Sequence, residues 1–215
     1  MRTRHSVRRY NDRKIEGETM RKLADMVTLC SQESGLHIQL VTEEPLAFSS
    51  LLAKYGSFSG VRNYIVLAGR KSADLEERCG YYGEKIVLYA QTLGLRTCWA
   101  GLTYKKIPGT FELRSGEKVI LCIAVGYSDE DGHPHSSKDA QVIGKVREDS
   151  PEWYTEGIEA VLLAPTAMNR QKFRFERNGE KVMAAAGRGF FTKADLGIAK
   201  YHFETASGRG SEVWM

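Results

Sequence analysis

Gly35-Leu36-His37-Ile38-Gln39-Leu40-Val41 marks the point where a helix gives way to a strand, and the chain returns to the same kind of junction near its other end. Upstream of it, Met20, Leu23, Met26, Val27 and Cys30 recur at helical spacing, which predicts an amphipathic helix over 16–31. Gly35 tolerates the left-handed backbone that closes such a helix. Beyond it, Leu36, Ile38 and Leu40 alternate with polar residues, the period of a strand with one buried face.

Working outward, Tyr64-Ile65-Val66-Leu67-Ala68 is a short continuous apolar run and reads as a buried strand. Residues 73–93 read as a long helix stopped by Gly94, and 97–102 and 118–126 as strands or strand-like segments. Residues 45–60 are less regular, and 128–139 form a polar loop. Ser150 and Pro151 read as the cap and first residue of another helix, over 153–164. Phe173-Arg174-Phe175 is strand-like, and 194–207 reads as a second long helix carrying Leu196, Ala199 and Phe203. The predicted class is α+β, with mixed or antiparallel sheets flanked by helices.

The second part tracks the first. Leu23 and Ile158, Met26 and Val161, Ile38 and Phe173, and Leu40 and Phe175 each stand 135 positions apart. Leu88 and Phe203, and Trp99 and Trp214, stand 115 apart. The order of elements is kept while the segment between strand and long helix is shortened. A degenerate duplication follows, with a complete copy over residues 1–147 and a truncated one over 148–215.

The 215 residues are 42% hydrophobic and 27% charged, ordinary values for a globular chain with a real core. No apolar run is long enough to span a bilayer, and no signal-peptide core precedes the first helix, so a cytoplasmic protein without a membrane partner is expected. Cys30, Cys79, Cys98 and Cys122 lack paired metal-ligand spacing and read as reduced thiols. His133 and His135 share a polar loop without a third ligand, so no metal site is assigned. The net charge of +4 is concentrated at the start: residues 2–14 hold six basic side chains against one acid, Asp12. No basic helix face with interleaved aromatics follows, which argues against nucleic acid and leaves an anion-binding arm.

That arm contains Arg4-His5-Ser6-Val7-Arg8. In an extended segment alternate side chains point the same way, so Arg4, Ser6 and Arg8 can face one anion, whereas Arg9 and Arg13 break the alternation and read as solvated. Together with Gly80-Tyr81-Tyr82-Gly83-Glu84-Lys85 and Leu93-Gly94-Leu95-Arg96-Thr97-Cys98-Trp99-Ala100-Gly101-Leu102, this arm makes the first part resemble an FMN-dependent nitroreductase. The whole chain is most similar to the branch of that family in which a truncated second copy is fused on, a single-chain pseudo-dimer.

The resemblance implies an FMN site. Arg4 and Ser6 would hold the phosphate, Arg8 the ribityl chain or the polar edge of the ring, and Lys138 would add a late basic contact to the phosphate. Trp99, Ala100, Gly101 and Leu102 would form the loop that approaches the ring. In the family, a Pro-Ser-x-x-Asn-x-Gln segment after the first helix serves the flavin of the other subunit. The first copy has Cys30, Ser31, Ser34 and Leu36 at those places, while the second keeps Pro165, Thr166, Asn169 and Gln171. Each copy thus retains the complementary half of one site, and a second subunit is not required to complete it. The implied reaction is hydride transfer from NAD(P)H through FMN to a nitroaromatic, quinone or similar acceptor. No side chain is assigned as a catalytic acid or base. The alternative is a degenerate flavin-binding or flavin-free protein without turnover, its arm binding some other anion.

Overall fold

The computed structural model describes residues 1–215 apart from the side chains of Leu52 and Lys54. Two compact units emerge. The first comprises residues 3–75 and 85–134, and the second comprises 1–2, 76–84 and 135–215.

In the first unit, α1 (Gly17–Ser34) buries Leu23, Val27 and Cys30 and ends at Gly35, whose φ of 64° is the left-handed geometry glycine accepts without strain. β1 (His37–Val41) follows, then a short helix α2 (Leu51–Tyr55) inside the segment that lacks a clear period in the sequence. β2 (Asn63–Arg70), β3 (Arg96–Ala100) and β4 (Glu117–Gly126) complete a four-stranded sheet in the order β1-β2-β4-β3, every neighbouring pair antiparallel. Both faces of β2 are covered, which is why seven of its residues, Asn63 to Gly69, are buried and its apolar run does not alternate. One sheet face carries Tyr64, Val66, Cys98, Ala100, Cys122 and Ala124, closed over by Phe48 and Phe58 from the segment around α2. Ile65 and Leu67 point to the opposite face, as the strand period requires, and are equally buried.

The long helix α3 (Leu75–Thr92) runs through both units in sequence, its residues 76–84 belonging to the second. That unit also holds α4 (Ala140–Gly144), α5 (Glu152–Leu162), an antiparallel pair β5 (Phe173–Asn178) and β6 (Lys181–Ala186), and α6 (Thr192–Ser207). Phe203 of α6 centres its core, stacked on Phe175 at 5.9 Å and meeting Tyr154, Trp153 and Trp214 at edges and tilts. Two glycines let α6 come against residues 76–84 of α3. A Cβ on Gly80 would stand 2.0 Å from the Ala194 carbonyl oxygen, and one on Gly197 1.9 Å from that of Glu77.

Two readings of local sequence need correction. Pro151, not Ser150, occupies the cap position of α5, and the helix ends at Leu162. Ser150 Oγ instead accepts the Arg147 N–H at 2.9 Å, closing a turn ahead of the helix. Arg9 and Arg13 are not merely solvated: Arg9 pairs with Glu130 at 2.6 Å, and the Arg13 guanidinium lies 3.9 Å from the centre of the Tyr127 ring.

Candidate functional site

The N-terminal arm is fastened at isolated bridges, Ser6 beside Thr97 and Arg9 beside Ser59. Val7 N–H donates to Thr97 O at 3.1 Å, Tyr10 N–H to Ser59 O and Asn11 N–H to Tyr127 O, both at 3.0 Å. Tyr10 reinforces this from its side chain, its hydroxyl donating toward Val7 O at 2.8 Å and Ala124 O at 3.2 Å. Burial raises that hydroxyl well above the usual tyrosine range, so it stays a donor. Val7 is buried at 1% exposure, and of the three predicted ligands Arg4 is buried, Ser6 half-buried and Arg8 exposed.

Those three side chains gather around one thiol. Burial raises Cys98 above the ordinary thiol range, while Arg8, a hydrogen bond with Ser6, and Arg4 pull the other way. Arg4 is only 4% exposed, and its Nε and Nη1 have no hydrogen-bond partner among the described residues. A guanidinium in that condition has lost its water without gaining an acceptor, which is unfavourable until an anion arrives. Arg8 is exposed and forms no ion pair among the described residues.

Ser6 and Arg8 open onto a cavity of about 730 Å³. Arg9, Ser57, Glu130, Asp131, Gly132 and His133 form the rest of its wall. Its acids are matched to bases: Glu130 to Arg9 and Asp131 to Arg96. Donors therefore dominate where Ser6 and Arg8 meet the cavity. The sequence did not single out Ser57 or the 130–133 wall; the only local signal was the polar run in which Glu130 to His133 lie. Trp99 and Ala100 lie in β3, paired with Ile123 and Cys122 of β4, and Gly101 and Leu102 form a bend at the strand's end, with Leu102 71% exposed.

The remaining predicted residues lie in the second unit, Pro165, Thr166, Asn169 and Gln171 in the loop between α5 and β5 and Lys138 just ahead of α4. Pro165 is buried, and Thr166 Oγ1 accepts the Gln171 N–H at 3.1 Å. Gln171 is 1% exposed: its Oε1 accepts Lys138 N–H at 2.7 Å and its Nε2 donates to Leu162 O at 3.1 Å. Lys138 Nζ donates to Gln171 O at 3.0 Å. Asn169 Nδ2 donates to Ser136 O at 2.9 Å, and the residue is exposed. Sequence reasoning missed Asp195, which accepts the Ala167 N–H at 2.9 Å. Among the described residues no group of three or more His, Cys, Asp or Glu could hold a metal ion, and no helix is long and apolar enough to cross a membrane.

The model of the family described as "Putative TM nitroreductase" matches residues 1–207. The chain belongs to this family. Among solved structures, this nitroreductase-family chain is similar to a candidate nitroreductase from Thermotoga maritima MSB8, with a TM-score of 0.67 and 22% identity over 95% of this chain and 80% of that one. It is also similar to a candidate nitroreductase in complex with FMN from Desulfovibrio desulfuricans, with a TM-score of 0.53 and 18% identity over 70% of this chain and 95% of that one. A candidate NADH oxidase from Clostridium acetobutylicum gives 0.50 and 22% over 69% and 98%. At these identities the likeness is one of fold, and it agrees with the α+β class read from the sequence. No curated protein matches the chain.

Proposed function

We propose that this nitroreductase-family protein is an FMN-dependent oxidoreductase that passes hydride from NAD(P)H to a nitroaromatic, quinone or similar acceptor. The observation that carries this reading is Arg4, a buried guanidinium with Nε and Nη1 unpartnered. The phosphate of FMN brings nearly two negative charges and three acceptor oxygens, as any phosphate monoester does. The donor set fits that group, with Arg4 and Ser6 for the phosphate and Arg8 for the ribityl chain or the polar edge of the ring. Bound FMN supplies the redox chemistry, a ring that accepts a hydride and returns it. The protein's part is to bind and orient. Trp99 and Ala100 lead into the bend at Gly101 and Leu102, where Gly101 presents no side chain to obstruct an approaching ring.

Lys138, Pro165, Thr166, Asn169 and Gln171 complete the proposed set. Their assignment rests on reading residues 148–215 as a truncated second copy fused to a nitroreductase domain over 1–147. Two observations support that reading. The order α1–β1–α2–β2–α3 is matched, apart from the short α2, by α5–β5–β6–α6, each with an antiparallel strand pair. Solved chains similar over 95–98% of their own length cover about 70% of this one, leaving a remainder for a partial copy.

The absorption spectrum of the protein mixed with FMN, then with NADH or NADPH under anaerobic conditions, tests the proposal. Uptake of one flavin and bleaching of its band are expected. Uptake without bleaching by either nucleotide leaves a flavin-binding protein, and no uptake removes the proposal.

A further inference from the structure

The loop from Pro165 to Gln171 is held in an unfavourable backbone. Met168, Asn169 and Gln171 have φ of 54°, 53° and 44°, a region that residues other than glycine seldom occupy. Such a geometry persists only where its surroundings determine it. Three sets of bonds do so. Gln171 ties the loop to Lys138 and Leu162, Asn169 ties it to Ser136, and Asp195 of α6 receives the N–H of Ala167.

Asp195 is the unusual member. It is 4% exposed, and among the described residues the one hydrogen bond its carboxylate makes is to the loop backbone. Burial pushes its carboxyl up to about 6, with the Ala167 N–H the one group drawing it down. A leucine of the same branched shape would avoid the desolvation of a charge. A carboxylate with one backbone partner serves to fix that backbone.

We infer that Asp195 is a positioning residue: by accepting the Ala167 N–H it holds the Pro165–Gln171 loop in the conformation from which Asn169 presents its amide to FMN. The inference rests on the proposed reading that this loop touches the flavin. Asn169 is suited to the task because its side chain is exposed and, with Nδ2 bonded to Ser136, its Oδ1 makes no hydrogen bond among the described residues. Asp195 itself touches no flavin in this account and acts only through the loop.

Three variants of the full chain separate the possibilities, each read by FMN titration of the apo-protein and by thermal unfolding. Asp195→Leu removes the acceptor and keeps the branched shape, with methyl groups where the oxygens stood. Asp195→Asn keeps a side-chain oxygen for Ala167. Asn169→Gly removes the amide while tolerating the positive φ. Asp195→Leu is expected to unfold no earlier than the parent yet bind FMN roughly tenfold more weakly, the loss that follows from one misplaced hydrogen-bonding group. Asp195→Asn should bind within about twofold of the parent, since it preserves the geometry. Parental affinity in Asp195→Leu, or a loss in Asp195→Asn equal to that in Asp195→Leu, overturns the positioning role. If Asn169→Gly binds FMN as the parent does, the reading that the loop touches flavin is the one that fails.

Discussion

His202 Nε2 lies 2.9 Å from Glu84 Oε1, with both side chains wholly removed from solvent. The other ring nitrogen, Nδ1, is 3.0 Å from Ala160 O. A carbonyl oxygen only accepts, so Nδ1 carries a hydrogen, and Nε2 is left to share a proton with the carboxyl of Glu84. Breaking such a pair strands a polar group in the core. Glu84→Ala is therefore expected to lower stability by about 3–5 kcal/mol in urea unfolding. Glu84→Gln should lose less than half of that, since a carboxamide can turn either its oxygen or its nitrogen toward the ring. Equal losses in the two variants contradict the pairing.

Arg4 makes the opposite prediction for stability. Its buried Nε and Nη1 have no acceptor among the described residues, so Arg4→Met should leave the protein without FMN at least as stable as the parent. The same change should weaken FMN binding by about 1.5–3 kcal/mol, the range for hydrogen bonds to charged groups, while affinity for riboflavin, which has no phosphate, stays near the parental value. Equal losses for both ligands contradict the phosphate assignment.

Asp195 gives the stability curve a defined slope. Its folded pKa is raised from 3.8 to about 6, so the native state binds this proton more tightly than the unfolded chain does. The native state is thus favoured below about pH 4, and that advantage, about 3 kcal/mol for a shift of this size, is lost as pH rises through 6. Asp195→Asn should remove this slope between pH 4 and 6 and raise stability at pH 7. Parallel curves for parent and variant exclude the assignment.

Gly80 and Gly197 mark where α3 and α6 come closest within the second unit. Gly197→Ala would set a methyl 1.9 Å from Glu77 O, a distance that only a backbone shift can relieve. A loss of about 3 kcal/mol or more is expected, above the common range for overpacking because the obstacle is main chain. A stability within 0.5 kcal/mol of the parent, the ordinary scatter of surface substitutions, would mean that the two helices do not meet there.

The proposed second copy over 148–215 bears on assembly. A chain that carries both halves of its flavin site should bind FMN with an affinity independent of protein concentration. Loss of flavin on dilution, in step with dissociation of a dimer, counts against it.

Much of the fold was legible in the sequence, for identifiable reasons. Long amphipathic periods and a following glycine placed α1 and α3 to within a few residues. The unbroken apolar run of β2 disclosed a strand buried on both faces. β6 escaped because Lys181-Val-Met-Ala-Ala-Ala carries little β-branched character; it is a strand through pairing with β5. The Arg4, Ser6 and Arg8 alternation was readable from spacing alone, but the burial of Arg4 was not, since that depends on Thr97 and Ser59 receiving the arm. Ser57 and the loop 130–133 reach the cavity through tertiary folding that no local pattern encodes.

The second unit draws on widely separated stretches of chain, and this bears on the order in which it can form. Glu77, Tyr81 and Glu84 bond to Lys200, Glu204 and His202, partners 118 to 123 residues further along. At a synthesis rate of about 5–20 residues per second, those three side chains leave the ribosome roughly 6 to 25 s ahead of them. Until α6 emerges, the opening turns of α3 have no surface on which to set Gly80 and no imidazole for Glu84. A fragment beginning at residue 85 or later cannot rebuild the unit, however complete its C-terminal sequence.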